Sequence, residues 1–427
     1  MNIDPVVTHV VAAIAVIVGL SYIFGELFKR LRQPEVIGQL LAGIVVGPSL
    51  LGRFFGNVTH ALFPAKIVPY LNVTSQIALV LFLFAVGYEL DLRLLMRHRR
   101  TVPAVALSAF AVPMLLGAAS VYAFAHWYLA AGETHVETGH FMLFMGVALS
   151  MSAIPVMASI ARERGIAATL AGVTAMTSAA IIDALGWLAL AGVLVMASVS
   201  STHRPWAITV FLLAAYVVAS LIVVRPILAI WLRRPKALLA NKAPVAVVVA
   251  AASAWATAAL GLHVIFGAFF AGLMMPRLAD GTPDSDLLRP VQDAGSLLLP
   301  VFFVISGLSV NIGALHPQDF LLFGVICVLA VAGKIGASFL AARATRLSVR
   351  DSAAIGVLLN TRGLTELIAL NVGLQTGIIH QRLYTILVLM ALVTTAATGP
   401  LLALARFGEP GVQAVPAPAS GQAITNG

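Results

Sequence analysis

The stretch "LSMSAIPVMAS", Leu149–Ser159, is a polar, proline-containing interruption in an apolar run from about residue 139 to 163. A proline lacks the N–H that a helix needs and breaks or kinks the run that contains it. A second interruption, "LLNTRGLTELIAL", lies at Leu358–Leu370 inside another apolar run, from about residue 351 to 379. Both breaks are rich in serine, threonine or asparagine and carry glycine or proline.

The surrounding composition sets the class. Of 427 residues, 60% are hydrophobic and 10% are charged, with mean hydropathy +0.99. Soluble domains hold about 45–50% apolar and about 25% charged residues. A chain this apolar reads as an all-α polytopic membrane protein. Runs of about 17–25 residues give about thirteen spans, near 6–28, 34–52, 67–92, 102–127, 139–163, 167–199, 205–233, 243–260, 261–276, 293–312, 319–343, 351–379 and 382–406. The least distinct boundary is the break near Gly261.

Charge tests that count. Assigning loops alternately to two sides puts nineteen of the 26 Lys and Arg on one side and only Arg53, Lys66, Arg204 and Arg382 on the other; Arg225, Lys334 and Arg362 fall within spans. The asymmetry places the N-terminus outside and the C-terminus in the cytoplasm of a cell (inner) membrane. The net charge of +9 comes from these short clusters and not from a basic block, so no nucleic-acid partner is expected. "MNIDPVV" has no basic segment before the first apolar run and reads as the approach to a retained first helix. The segment 407–427, rich in Pro, Ala and Gly, reads as a disordered cytoplasmic tail with no soluble domain appended.

With the spans counted, the two interruptions fall in the fifth and the twelfth. An odd offset of seven puts them in opposite orientations in the membrane. Two broken helices at matching positions of inverted halves mark the binding site of a secondary transporter.

Four charged residues lie deep within spans: Asp183, Lys334, Arg362 and Glu366. Such groups need a partner, water or a function. Asp183, in "SAAIIDALGW", reads as a site taking either a proton or a small cation, so that competition at one carboxylate couples two fluxes. The plainer alternative is a protonated acid bonding two helices together. Arg362 and Glu366 are four residues apart on one helical face, and a scaffold role is favoured over ion ligation: they can pair and can occupy backbone groups freed where the helix unwinds at Gly363. Lys334, between Gly333 and Gly336, could steady an empty Asp183 carboxylate or carry a proton itself. Snorkelling towards the cytoplasmic end is its alternative.

Ser150, Ser152 and carbonyls freed near Pro155 offer oxygens to a hard monovalent ion, as do Thr177, Ser178, Asn360 and Thr361. Each is weak alone, because hydroxyls often bond back to their own helix. Gly43, Gly47, Gly267 and Gly272 read as close helix packing. His263 reads as a helix-end or interface residue, and the single cysteine, Cys327, as a packing residue. No HExxH, GxSxG or Cys/His cluster supports an enzyme, no GxGxxG supports a nucleotide-sensing module, and no cofactor is implied.

Taken in order, "LRQPEVIGQLLAGIVVGPSLLG" (Leu31–Gly52), "FLFAVGYELDL" (Phe82–Leu92), "ALSMSAIPVMASI" (Ala148–Ile160), "SAAIIDALGW" (Ser178–Trp187), "GAFFAGLMMP" (Gly267–Pro276), "LPVFFVISGLSVNI" (Leu299–Ile312) and "NTRGLTELIALNVGLQTGII" (Asn360–Ile379) resemble the monovalent cation:proton antiporter-2 family, the sodium/hydrogen exchanger membrane domain. The resemblance implies an inverted-repeat, homodimeric fold of thirteen helices over residues 1–406. A dimerisation part would cover about 6–92 and 243–312, and a mobile core about 102–199 and 319–406, joined by a linker helix at about 205–233. The two broken helices would cross beside the ion site, and transport would be elevator-like. By motif position, Asp183 matches the family's ion-binding aspartate, Lys334 its core lysine, and Arg362 with Glu366 its pair in the twelfth helix.

One position departs. Many members carry two consecutive aspartates where this chain reads Ile182-Asp183, so Lys334 loses its usual carboxylate partner. One carboxylate competing for one ion implies electroneutral exchange of a monovalent cation, K⁺ or Na⁺, for H⁺. It also weakens the attraction that dehydrates Na⁺, which favours K⁺ or poor discrimination. Proton-driven efflux of a small organic compound, or a non-transporting membrane sensor, are the competing readings.

Overall fold

The computed structural model describes residues 5–31, 33–54, 62–89, 100–130, 137–201, 206–232, 242–260, 263–278 and 280–404. Among them all regular structure is helical. Eleven helices are long and apolar enough to cross a membrane, and two shorter apolar ones, Ala243–Ala259 and Val264–Met274, bring the segments to the expected thirteen. The chain is a multi-pass membrane protein. The break at Gly261, much of the cationic loop sequence and the segment 407–427 lie outside the described residues.

The helices fall into two packed sets. In the first, α1 (Pro5–Arg30), α2 (Glu35–Val46) and α3 (Val68–Glu89) pack with α10 (Ala243–Ala259), α11 (Val264–Met274) and α12 (Ser285–Leu308). In the second, α4 (Thr101–Ala123), α5 (Thr138–Ser150), α6 (Ile154–Glu163) and α7 (Leu170–Ser201) pack with α13 (Pro317–Ala344), α14 (Val349–Leu359), α15 (Leu364–Gln375) and α16 (Gln381–Leu404). Between the sets in sequence, α8 (Trp206–Ala219) and α9 (Arg225–Leu232) are joined through a π-helical turn at Ser220–Val224. Pro226 has no N–H to return to the preceding turn, and the ladder widens just before it.

Lipid offers no hydrophobic drive to join helices, so close backbone contact at small residues matters. At Gly43 an added Cβ would lie 2.3 Å from the Val304 carbonyl oxygen, and at Gly307 one would lie 2.4 Å from that of Leu40. The α2–α12 crossing therefore exists only with glycine on both sides.

One boundary differs from the sequence expectation. The sequence pattern puts the tenth span at 293–312, but α12 begins at Ser285. Asp284 caps its N-terminus by accepting the Asp286 N–H at 3.0 Å, which starts the helix in polar sequence ahead of the apolar window. That early start carries Gln292 into the structure beside α3.

Candidate functional site

Both interrupted spans are broken where the sequence places the breaks. The first is helical as α5 up to Ser150, unwound from Met151 to Ala153, and helical again as α6 from Ile154. Pro155 explains the position: its ring excludes the carbonyl of Met151, four residues earlier, from a continuous helix. The second unwinds between Leu359, the end of α14, and Leu364, the start of α15. The two unwound segments bond to each other. The Ala153 N–H donates to the Thr361 carbonyl at 3.1 Å. Ser152 Oγ donates to the Leu359 carbonyl and Thr365 Oγ1 to the Ser152 carbonyl, each at 2.9 Å. Gly363 is required at this contact, because a Cβ there would sit 2.8 Å from Val156 Cγ2.

A helix end leaves carbonyls without partners, and in lipid each unserved group is costly. The C-terminal end of α5 is served by two cations from other helices. Arg362 donates to the carbonyls of Ala148 at 3.0 Å and Leu149 at 2.8 Å, and Lys334 Nζ donates to that of Ser150 and, at 3.0 Å, to that of Ala109. Ser150 Oγ turns back to the Val147 carbonyl at 2.9 Å. Positive charge at the negative end of the α5 dipole adds to these bonds. Arg362 also pairs with Glu366 Oε1 at 2.8 Å, both fully buried. Arg362 and Glu366 pair as their spacing expects, with one difference from that expectation: Arg362 bonds carbonyls of the other broken helix, not its own. The snorkelling alternative for Lys334 is contradicted, since the side chain is fully buried and turned into the helix core.

Asp183 occupies the middle of α7 and is only 2% exposed. Its carboxylate faces the backbone N–H of Ile154, the first residue of α6. The positive end of a half-helix therefore faces an acid. Among the described residues no group donates to its second oxygen, Oδ1. Asp183 lines a cavity of about 270 Å³ with Phe82, Val86, Glu89, Phe269, Thr177 and Thr365; Pro155 also contributes to its wall. Lys334 acts on Asp183 only through its field, because its hydrogen bonds go to the two carbonyls. Ile182 is fully buried among apolar side chains, so no second carboxylate stands beside Lys334 at that position.

The other oxygen candidates divide. Thr177 lines the cavity, although its hydroxyl donates to the Val173 carbonyl at 2.8 Å. Ser178 is not brought into the cavity wall: its Oγ points to the Val102 carbonyl on α4, 3.4 Å away. Ser152, Asn360 and Thr361 belong to the crossing. Asn360 Nδ2 reaches the Thr394 carbonyl at 3.4 Å, and Thr361 is fully buried. Two polar wall residues, Thr365 and Glu89, are not among the candidates that the sequence singles out. Thr365 lies one turn beyond Thr361 in the broken segment and is signalled by that register; Glu89, at the end of a helix, looked like an ordinary terminal acid. Among the described residues no group of three His, Cys, Asp or Glu side chains could hold a metal ion. The Asp183 carboxylate with the neutral oxygens of Thr177 and Thr365 suits a transiently held monovalent cation.

A model of the sodium/hydrogen exchanger transmembrane domain matches residues 12–405. The chain belongs to that family. It is 33% identical over 398 residues to a Na⁺/H⁺ antiporter, NhaS4, of Synechocystis sp., covering 92% of this chain and 96% of that protein. It is 34% identical to cation/H⁺ antiporter 20 of Arabidopsis thaliana over 90% of this chain and 47% of the relative, and 30% identical to K⁺/H⁺ antiporter 1 of Saccharomyces cerevisiae over 88% and 44%. The chain thus spans about half the length of these plant and yeast relatives. In fold it is similar to the sodium proton antiporter MjNhaP1 of Methanocaldococcus jannaschii, with a TM-score of 0.65 at 13% identity over 93% of this chain and 97% of that one.

Proposed function

We propose that this protein exchanges a monovalent cation, K⁺ or Na⁺, for H⁺ across a cell membrane, both ions competing for Asp183. The observation that carries the reading is the state of that carboxylate. The carboxylate faces the Ile154 N–H, its Oδ1 receives no bond from a described residue, and Asp183 lines a cavity. Thr177 and Thr365 supply neutral oxygens in the same wall. The relatives named as Na⁺/H⁺ and K⁺/H⁺ antiporters support the reaction class and leave both cations as substrates. Efflux of an organic compound is the weaker reading, because about 270 Å³ falls below the ~300–1,000 Å³ typical of small-molecule sites.

Exchange is electroneutral in this reading. Ile182 leaves Asp183 as the one exchanging carboxylate, trading one cation for one proton, since Glu366 is paired with Arg362 and Lys334 is committed to two backbone carbonyls. In proteoliposomes with a clamped membrane potential, initial exchange rates are expected to be independent of that potential. Exchange driven by the potential alone would refute the one-for-one stoichiometry.

Alternating access is assigned to sliding of the second helix set, the mobile core, against the first, through which two copies would form a homodimer; α8 and α9 would link the two. The cavity supports this, since its wall comes from α3 and α11 on one side and α6, α7 and α15 on the other. At the far end of the same helices, Gln76 of α3 donates to Gln375 Oε1 of α15 at 3.3 Å, and His263 Nε2 lies 3.4 Å from that oxygen. Gln76 is thirteen residues before Glu89, about 20 Å along a helix, so this contact joins the two sets at the end opposite the Asp183 cavity, beside a second cavity of about 760 Å³ that Gln76 and Gln375 also line. In a Cys327→Ser background, Gln76→Cys with Gln375→Cys bridged by a short bis-methanethiosulfonate, which joins each thiol through a disulfide, should lose more than about 90% of exchange and regain it on reduction. Undiminished exchange in the bridged protein would rule out relative movement of the two sets. The N-terminus is placed outside, as the distribution of Lys and Arg supports.

A further inference from the structure

We infer that the cavity of about 760 Å³ at the outer end of the molecule is a lipid site. It takes one uncharged, hydroxyl-bearing acyl lipid, which wedges between the two helix sets and slows their sliding. Binding is a property of the cavity itself; the effect on exchange rests on the antiport reading above.

The cavity wall is graded along the membrane normal. Its polar residues are Asn72 and Gln76 near the start of α3, Ser309 just past α12, and Asn371 and Gln375 towards the end of α15. With the N-terminus outside, all five lie towards the outer face. From there the cavity runs inward along α3 to Leu81, nine residues and about 14 Å from Asn72. On α10 it passes Ala254 and Ala251 and ends at Val247. Among the described wall residues none is charged. A polar collar above an apolar slot suits a lipid whose head lies outermost and whose chain points inward.

The collar also selects the head. Gln76 Nε2 donates to Gln375 Oε1 at 3.3 Å, and Gln375 Nε2 donates to Asn371 Oδ1. These bonds fix the amides, and Gln76 Oε1 receives no bond from a described residue. An acceptor is left for a lipid hydroxyl, whereas a charged headgroup would meet no counter-charge. Val73, Ile77 and Trp255 line the same cavity and are exposed, Trp255 at 73%, so a chain can enter sideways from the bilayer.

A second copy of the chain is the poorer occupant. Asn371, Leu374 and Gln375 belong to the second helix set, and the rest of the wall to the first. A dimer contact seated here would break whenever the sets slide. A lipid chain in the same place acts as a brake. Sliding carries α15 past α3, α10 and α12, so the cavity keeps this shape in one arrangement only. A ligand that binds one arrangement shifts the population towards it.

The test uses monoolein as the probe. Native mass spectrometry reads its retention by the purified full chain in detergent, and cation-driven exchange is followed in phosphatidylcholine proteoliposomes of rising monoolein content. One monoolein should be retained per copy of the chain, and the maximal exchange rate should fall about 3- to 10-fold at saturation. Methyl oleate, which has the same chain and no hydroxyl, should be retained poorly and change the rate little. Ala251→Trp puts a ring into the apolar slot from an exposed position. That variant should lose retention, and its rate, whatever its value in phosphatidylcholine alone, should not respond to monoolein. Equal retention by wild type and Ala251→Trp, or equal slowing of both, would overturn the site. Retention without slowing would refute the wedge. Thiol cross-linking of Trp255→Cys between two copies, in a Cys327→Ser background, would assign the cavity to a dimer contact instead. A wild-type protein that exchanges neither cation would overturn the antiport reading, and retention alone would then decide the site.

Discussion

Asp183→Asn should reduce cation-driven proton exchange to the level of empty proteoliposomes, at least about 100-fold below wild type, while the protein remains folded and elutes as the wild type does. The substitution keeps the shape and an oxygen that can face the Ile154 N–H, but removes the group that both ions need. Asp183→Glu should retain measurable exchange with altered affinity, because the carboxylate survives at a displaced position. A sensor that merely kept this fold predicts the opposite, an Asp183→Asn protein with unchanged function and ion binding. Dye-monitored proton movement with Na⁺, K⁺ and Li⁺ separates these outcomes, and proton movement driven by an organic compound alone would favour efflux.

Arg362→Leu is expected to be the most destabilising single change near the site. It strips the Ala148 and Leu149 carbonyls of their donors and leaves Glu366 buried without its cation. Removing one partner of a buried pair costs about 3–5 kcal/mol, because the other charge stays desolvated. The expected result is a low yield of monodisperse protein and an unfolding midpoint well below wild type, read by thermal denaturation in detergent. Arg362→Leu with Glu366→Leu should recover part of that loss and not all, since two α5 carbonyls stay unserved. A single variant as stable as wild type would show that these contacts do not hold the crossing together.

Much of this architecture was legible because lipid imposes strict rules on sequence. Thirteen apolar segments, the Pro155 break and the Asn360–Gly363 break each follow from satisfying backbone groups without water. Asp183, Lys334, Arg362 and Glu366 stood out because charge inside a span is expensive. The partners those charges choose were not legible. The i, i+4 spacing announces the Arg362–Glu366 pair, but nothing in sequence connects Arg362 to carbonyls more than two hundred residues away on α5. Periodicity alone did not separate Thr177, which lines the cavity, from Ser178, whose hydroxyl turns to α4. Glu89 escaped notice because an acid at a helix end has a sufficient explanation in solvent; only the cavity wall gives it another.

The most direct test counts protons. Calorimetric titration of the purified protein with Na⁺ or K⁺, repeated in buffers of different ionisation enthalpy, yields the number of protons released for each cation bound. Competition at a single carboxylate predicts about one proton per cation for the wild type, and neither binding nor release for Asp183→Asn. Cation binding without proton release, release of two protons, or release that persists in Asp183→Asn would contradict the assignment of both ions to Asp183.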